Sequence, residues 1–278
     1  MKKIMQKITK GWTFSKILRF PLIPLKEQRA IYTFYTFYNH LKNVAESVVP
    51  NSQKKELIEL WRQEIDNIYD KKKPVSKLGK DIYKNCMRFK LPKQDLISIL
   101  DSVEMVFCSS FKVSNTEKLN QYCKGMAGAP SSMLLRILGC KDKKLINELS
   151  ENMGQAVEIT DILRNIRDDA EAGKLYIPDD FLKDAGIKAT NPKEIIVDKN
   201  LNIARQELAQ IAEKKYEKTF NLIEKLDKKI SRNIKIPVYV YKKYFDLMNN
   251  RGWEIISPKP KIGYFSKLFL ILKAYSGK

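Results

Sequence analysis

Thr160-Asp161-Ile162-Leu163-Arg164-Asn165-Ile166-Arg167-Asp168-Asp169-Ala170-Glu171-Ala172-Gly173-Lys174-Leu175-Tyr176-Ile177-Pro178 reads as a helix that carries oxygen ligands along one side and then stops. Asp161, Asn165 and Asp169 recur at i, i+4 and i+8, so they stack on one face. Arg164 and Arg167 flank that row, and Gly173 and Pro178 are residues that end a helix and open a turn. A column of acidic and amide oxygens facing a cavity is how a helix holds magnesium, and magnesium is how a protein holds a diphosphate. A solvated, salt-bridged helix face carries a similar charge pattern.

Outward from this stretch, apolar residues recur at helical spacing for most of the chain, which predicts an all-α protein. Helices are expected over Lys26–Val48, Lys54–Asp70, Val75–Phe89, Lys93–Phe107, Thr116–Gly139, Lys143–Ala172, Pro192–Lys229 and Val238–Asn249. A shorter amphipathic, basic segment is expected over Ile262–Tyr275. At 278 residues and 44% hydrophobic content, without a long linker or internal repeat, the chain reads as one domain, 1–278. The aromatic row Tyr32, Phe34, Tyr35, Phe37 and Tyr38 is expected in the core, following the Pro21–Pro24 break.

The net charge of +20 asks for an anionic partner. Without a zinc-finger, helix-turn-helix or RNP signature, nucleic acid is set aside in favour of a phosphorylated substrate or an anionic membrane. Cys86, Cys108, Cys123 and Cys140 form no CxxC pair and are read as reduced, mostly buried thiols. Met1–Lys10 is basic but lacks the apolar core of a signal peptide, and no apolar run reaches the length of about 18 residues that spans a bilayer. The location expected is cytoplasmic, peripheral on the inner membrane surface through Ile262–Tyr275.

The ordered residues from Glu158 to Pro178 resemble the second Asp-rich motif of the squalene/phytoene synthase family, the head-to-head prenyltransferases. That motif runs roughly Q-L-T-N-I-L-R-D-x-x-E-D-x-x-x-G-R-x-Y-L-P. Here Asp and Asn have exchanged places at 161 and 165. Arg29–Phe37 resembles the lead-in to the family's first Asp-rich motif, and Leu60–Asp66 resembles its W-R-x-E-L-D. Tyr122–Gly128 is similar to Y-C-x-x-V-A-G, and Arg136–Gly139 to R-V-L-G. Arg251-Gly252-Trp253 and Lys267-Leu268 resemble the tail of bacterial members. The resemblance implies the isoprenoid-synthase helical bundle, a single domain around a central cavity.

It also implies a site. Diphosphate departure needs concentrated positive charge, and the resulting carbocation needs a dry, aromatic surround. Catalytic roles would fall on Asp161, Arg164, Asn165 and Asp169, and substrate binding on Lys42, Tyr122, Arg164, Lys174 and Tyr176. Magnesium, brought by a prenyl diphosphate, would be held by Glu46, Asp161, Asn165, Asp168 and Asp169. The first motif departs from this pattern. Where relatives read roughly R-x-x-D-D-I-x-D-E, this chain has Asn39, Lys42 and Asn43, and only Glu46 keeps a carboxylate. Relatives also place an Asp after E-M, whereas Glu104-Met105 is followed by Val106.

Two readings of Lys42 stand: it binds a diphosphate oxygen directly, or it pairs with Glu46 on the helix surface. His40, the only histidine, has no catalytic partner nearby in sequence. Function is therefore expected as a prenyl-diphosphate-binding or assembly-factor-like protein with weak or lost catalysis. The family's respiratory complex I assembly factor, whose first motif is also degraded, is the precedent and implies a protein partner in respiratory-complex assembly. The alternative is an active magnesium-dependent transferase that joins farnesyl or geranylgeranyl diphosphates.

Overall fold

The computed structural model describes residues 23–276 apart from 71, 73 and 108–110. The readings made on Met1–Lys10, Pro21 and Cys108 lie outside these residues. The described chain is helical throughout, its only β feature being an isolated parallel bridge between Lys112 and Leu175.

The helices are α1 (Leu25–Glu46), α2 (Asn51–Tyr69), α3 (Lys77–Phe89), α4 (Lys93–Met105), α5 (Thr116–Cys123) and α6 (Ala129–Ile137), the last two joined by one π turn over Lys124–Gly128. Next come α7 (Lys143–Glu171), α8 (Asp179–Asp184), α9 (Pro192–Ile195), α10 (Leu201–Ile223), α11 (Lys228–Arg251) and α12 (Tyr264–Ser276). Helix α7 is the axis of the bundle, packed by α10, α11, α6 and the π turn. Its start is fixed by Asp142, whose Oδ1 accepts from the Lys144 and Leu145 amides. Its middle, from Met153 to Thr160, is buried on all sides. The Thr160 and Tyr216 hydroxyls meet at 2.9 Å inside the α7–α10 contact, so neither polar group is stranded there.

The stop signal at Gly173 works as its chemistry requires. Gly173 takes φ +76°, its amide donates to Ala170 O, and the Lys174 amide reaches back to Asp169 O at 2.8 Å. This paired closure satisfies the last carbonyls of α7 and turns Lys174 back over Asp169. Leu175 and Asp179 then hang from the carbonyls of Phe111 and Val113, at 2.9 Å each. Tyr176 is thereby fixed in the interior.

The expected helix over Pro192–Lys229 is instead three elements, α9, α10 and the first turn of α11. An Asx turn, Asn200 N to Asp198 Oδ1, separates the first two, and Asp227 opens the third by accepting from the Ser231 amide. The helix expected over Val238–Asn249 starts ten residues earlier, at Lys228, and Pro237 lies inside it between buried Ile236 and Val238. Burial of that face outweighs the single backbone hydrogen bond that proline cannot donate. Helix α8 had no periodic signal and was missed. Phe34, Phe37 and Tyr38 are core residues, whereas Tyr32 faces outward. Cys86, Cys123 and Cys140 are free thiols, the first two buried.

Candidate functional site

Four elements converge on one interior space. Helix α1 supplies Tyr38, Lys42 and Glu46, spaced i, i+4, i+8. Helix α7 supplies Glu158, Asp161, Asn165 and Asp169. The turn after α7 supplies Lys174 and Tyr176, and α5 supplies Tyr122. Tyr122 and Tyr176 lie 4.9 Å apart between ring centroids, with Phe111 packed on both. Glu158 acts electrostatically on both Tyr122 and Tyr176, so these three polar side chains share one buried neighbourhood. Tyr38 and, from α11, Tyr241 feel the charges of Glu158 and Asp161 and belong to the same chamber.

The acids of this chamber are hard to ionise. Burial first, then the neighbouring Asp161 charge, pushes the Glu158 carboxyl up to about 8, with Lys42 opposing the shift. Asp169 rises to about 7 for the same two reasons, opposed by Lys259 and Lys174. Asp161 is raised by burial against the pull of Arg164, Lys42, Asn165 and Lys259. Burial lowers the Lys174 ammonium, which sits among Glu46, Asp169, Lys54 and Lys42. Positive and negative groups are thus interleaved, and no carboxylate stands apart from a cation.

The structure brings Lys42 to face the second motif, since its charge acts on both Glu158 and Asp161. Its nearest partner is nonetheless Glu46, at 3.6 Å. The helix-surface pair with Glu46 is therefore present, and the same ammonium also acts on the acids of the second motif. Asn43 is exposed, and His40 packs edge-on against Trp61 at 5.7 Å, a structural contact. The W-R-x-E residues also have structural tasks. Arg62 bridges Asp101 and Glu104 of α4 at 2.7 and 2.8 Å, and Glu64 accepts from the Val75 and Ser76 amides at the start of α3.

The main addition to the site comes from 94 residues away in sequence. The segment linking α11 to α12, residues 252–263, lies across the outer end of the Asp161–Asn165–Asp169 row. From it, the Lys259 ammonium donates to Asn165 Oδ1 at 2.7 Å and to Asp168. Arg164 lies 3.8 Å from Asp161 and stacks its guanidinium 4.3 Å above the Tyr244 ring. Two guanidinium groups tie this strap down by its carbonyls: Arg205 bonds Trp253 O, and Arg251 bonds Ile255 O and Pro258 O. Lys259 has no local sequence signal beyond its Pro-Lys-Pro setting. Glu158, one turn before Asp161, could have been found from the i, i+3 spacing.

Magnesium requires several carboxylate oxygens turned to one point and not engaged by cations. Here Lys259 occupies Asn165 and Asp168, Lys42 occupies Glu46, and Asp168 projects to the exposed flank of α7. Among the described residues no three His, Cys, Asp or Glu side chains gather as a metal set. The five expected ligands, Glu46, Asp161, Asn165, Asp168 and Asp169, do not fit a magnesium cage in this arrangement. What the arrangement offers instead is a set of ammonium groups, Lys42, Lys174 and Lys259, beside the buried rings of Tyr122 and Tyr176.

A model of the squalene/phytoene synthase family matches residues 11–264. The chain is 29% identical over 231 residues to a presqualene diphosphate synthase of Sinorhizobium fredii, covering 83% of this chain and 82% of the relative. It is 27% identical over 275 residues to a presqualene diphosphate synthase of Rhodopseudomonas palustris, covering 96% and 94%. In fold it is similar to a crystal structure of a dehydrosqualene synthase, with a TM-score of 0.82 at 18% identity, over 99% of this chain and 94% of that one.

Proposed function

The chain belongs to the squalene/phytoene synthase family, and on that premise we propose that it binds a prenyl diphosphate with weak or lost catalysis. The prenyl chain lies against Tyr38, Tyr122, Tyr176 and Tyr241, and the diphosphate meets Lys42, Lys174 and Arg164. The observation that carries this reading is Lys42, paired with Glu46 where the family's first motif has paired aspartates, and facing Asp161 and Glu158. An ammonium there repels the metal that would draw the leaving group away, yet it attracts the diphosphate itself. Substrate affinity and ionisation are thereby separated.

A second reading, an active transferase joining two farnesyl or geranylgeranyl diphosphates with magnesium, is favoured by the similarity to presqualene diphosphate synthases. The deciding experiment measures calorimetric binding of farnesyl diphosphate beside its turnover with magnesium present. Binding without steady diphosphate release supports the first reading, and steady release overturns it. Peripheral attachment to the cytoplasmic face of an anionic membrane, where a prenyl substrate would reside, is part of the proposal. It is supported by the apolar residues that α12 turns outward and by the basic residues around them. The similarity to presqualene diphosphate synthases lends no support to a respiratory-complex assembly partner, and the proposal does not include one.

A further inference from the structure

We propose that Lys259 is a built-in counter-cation that excludes divalent metal from the second Asp-rich motif, so that anions in this chamber are held by lysine and arginine side chains alone. The inference rests on the diphosphate-binding reading for its ligand, but its metal-excluding half stands independently. Three observations support it. Lys259 is positioned rather than adrift: its ammonium engages Asn165 Oδ1 at 2.7 Å and the Asp168 carboxylate. Its backbone neighbourhood is clamped, with Pro258 O and Ile255 O on Arg251, Pro260 O on Arg164 at 3.5 Å, and Trp253 O on the fully buried Arg205. Opposite it, Lys42 stands where a second carboxylate cluster would be needed to complete a cage, and it already pairs with Glu46.

The electrostatic logic follows from charge and reach. A divalent ion at Asn165 and Asp168 would have to displace an ammonium already hydrogen-bonded to both, and would meet the Lys42 charge across the chamber. A diphosphate meets no such obstacle. It brings several anionic oxygens to Lys42, Lys174 and Lys259, and Lys174 is held back over Asp169 by the closure of α7. Ammonium groups on flexible stems can turn from carboxylates to phosphate oxygens without rearranging the backbone. Asn165 supports this arrangement, because a neutral amide accepts the Lys259 hydrogen bond without demanding a second positive charge.

The test uses the full chain and two probes. Manganese alone, read by electron paramagnetic resonance, reports the metal site. Inorganic diphosphate, read by calorimetry in chelator and in magnesium, reports the anion site. Unmodified protein is expected to bind diphosphate equally in both buffers and to leave manganese free in solution. Lys259→Gln is expected to gain manganese binding and to weaken diphosphate in chelator by about tenfold, the loss of one charge-assisted contact, with magnesium restoring it. Lys259→Arg keeps the cation and should keep manganese out. It also controls for damage to the strap, since a fold defect would affect both variants. Manganese binding by the unmodified protein, or its failure to appear in Lys259→Gln, overturns the inference. If instead manganese behaves as expected but no condition yields diphosphate binding, the ligand reading fails and metal exclusion by Lys259 stands.

Discussion

Glu158 shows how this site uses burial to control charge. The side chain is 7% exposed, and its carboxyl is pushed up to about 8 by desolvation and by Asp161. Its native pKa lies above the unfolded value, so its contribution to stability is full below about pH 4.5 and declines until the pH passes about 8. Over that window each pH unit removes about 1.4 kcal/mol. Glu158→Gln keeps the shape and the polarity of the side chain but cannot ionise. The variant should match the unmodified protein near pH 4.5 in thermal unfolding, and should become progressively more stable relative to it up to about pH 8. Parallel midpoints across that range would mean the carboxyl is already charged in the native state. Lys42 is the converse case, a cation in place of an acid. Lys42→Asp with Asn43→Asp and Lys259→Gln removes two positive charges and adds two negative ones, which should create a metal site. Magnesium-dependent diphosphate release from farnesyl diphosphate is expected in that triple variant and not in its parent. Release by the parent alone would identify Lys42 as a working substitute for metal.

At the scale of elements, the close crossing of α7 on the π turn rests on a pair of glycines. A Cβ added at Gly154 would come within 2.6 Å of the Gly128 backbone, so neither side can yield without moving a helix. Gly154→Ala should therefore cost about 1–3 kcal/mol as overpacking, each kcal/mol lowering the melting temperature by roughly 2–4 °C. An unchanged melting temperature would show that the crossing has slack. The elements also show what a sequence can carry. The 3.6-residue period, the Asp142 cap and the Gly173 stop are local, and so α7 could be read to within a residue at its C-terminal end. The break near Asp227 depends on tertiary packing and carries no glycine or proline signal, so it could not be placed, whereas the short α8 lies between Pro178 and Gly186 but has too few residues to show a helical period. The acidic row of the site is local to α7 and was legible. Lys259 was not, because the strap reaches that row only after α10 and α11 have folded against it.

Across the whole molecule, the excess of positive charge is matched by a specific surface. Helix α12 buries Ala274 and its inner face, with Ile262 of the preceding segment, against Ile236, Val240 and Tyr244 of α11. It turns the opposite side outward, where Phe265 is 83% and Phe269 66% exposed, alongside Tyr264, Leu268 and Leu272. Phe265 and Phe269 also border a groove of about 690 Å³ with Lys242, Lys243 and Lys273. No helix of the described residues is long and apolar enough to cross a membrane, so attachment would be interfacial. Each basic residue near an anionic leaflet contributes about 1 kcal/mol, and apolar insertion adds to it, so a few lysines with two phenylalanines suffice for reversible binding. In flotation, the protein should rise with anionic vesicles, less so as salt increases, and hardly at all with neutral ones. Phe265→Ser with Phe269→Ser should weaken flotation while leaving diphosphate affinity unchanged, because these side chains point away from the α1–α7 chamber. Flotation that is indifferent to lipid charge, or a double variant that floats like its parent, would remove α12 as the attachment surface.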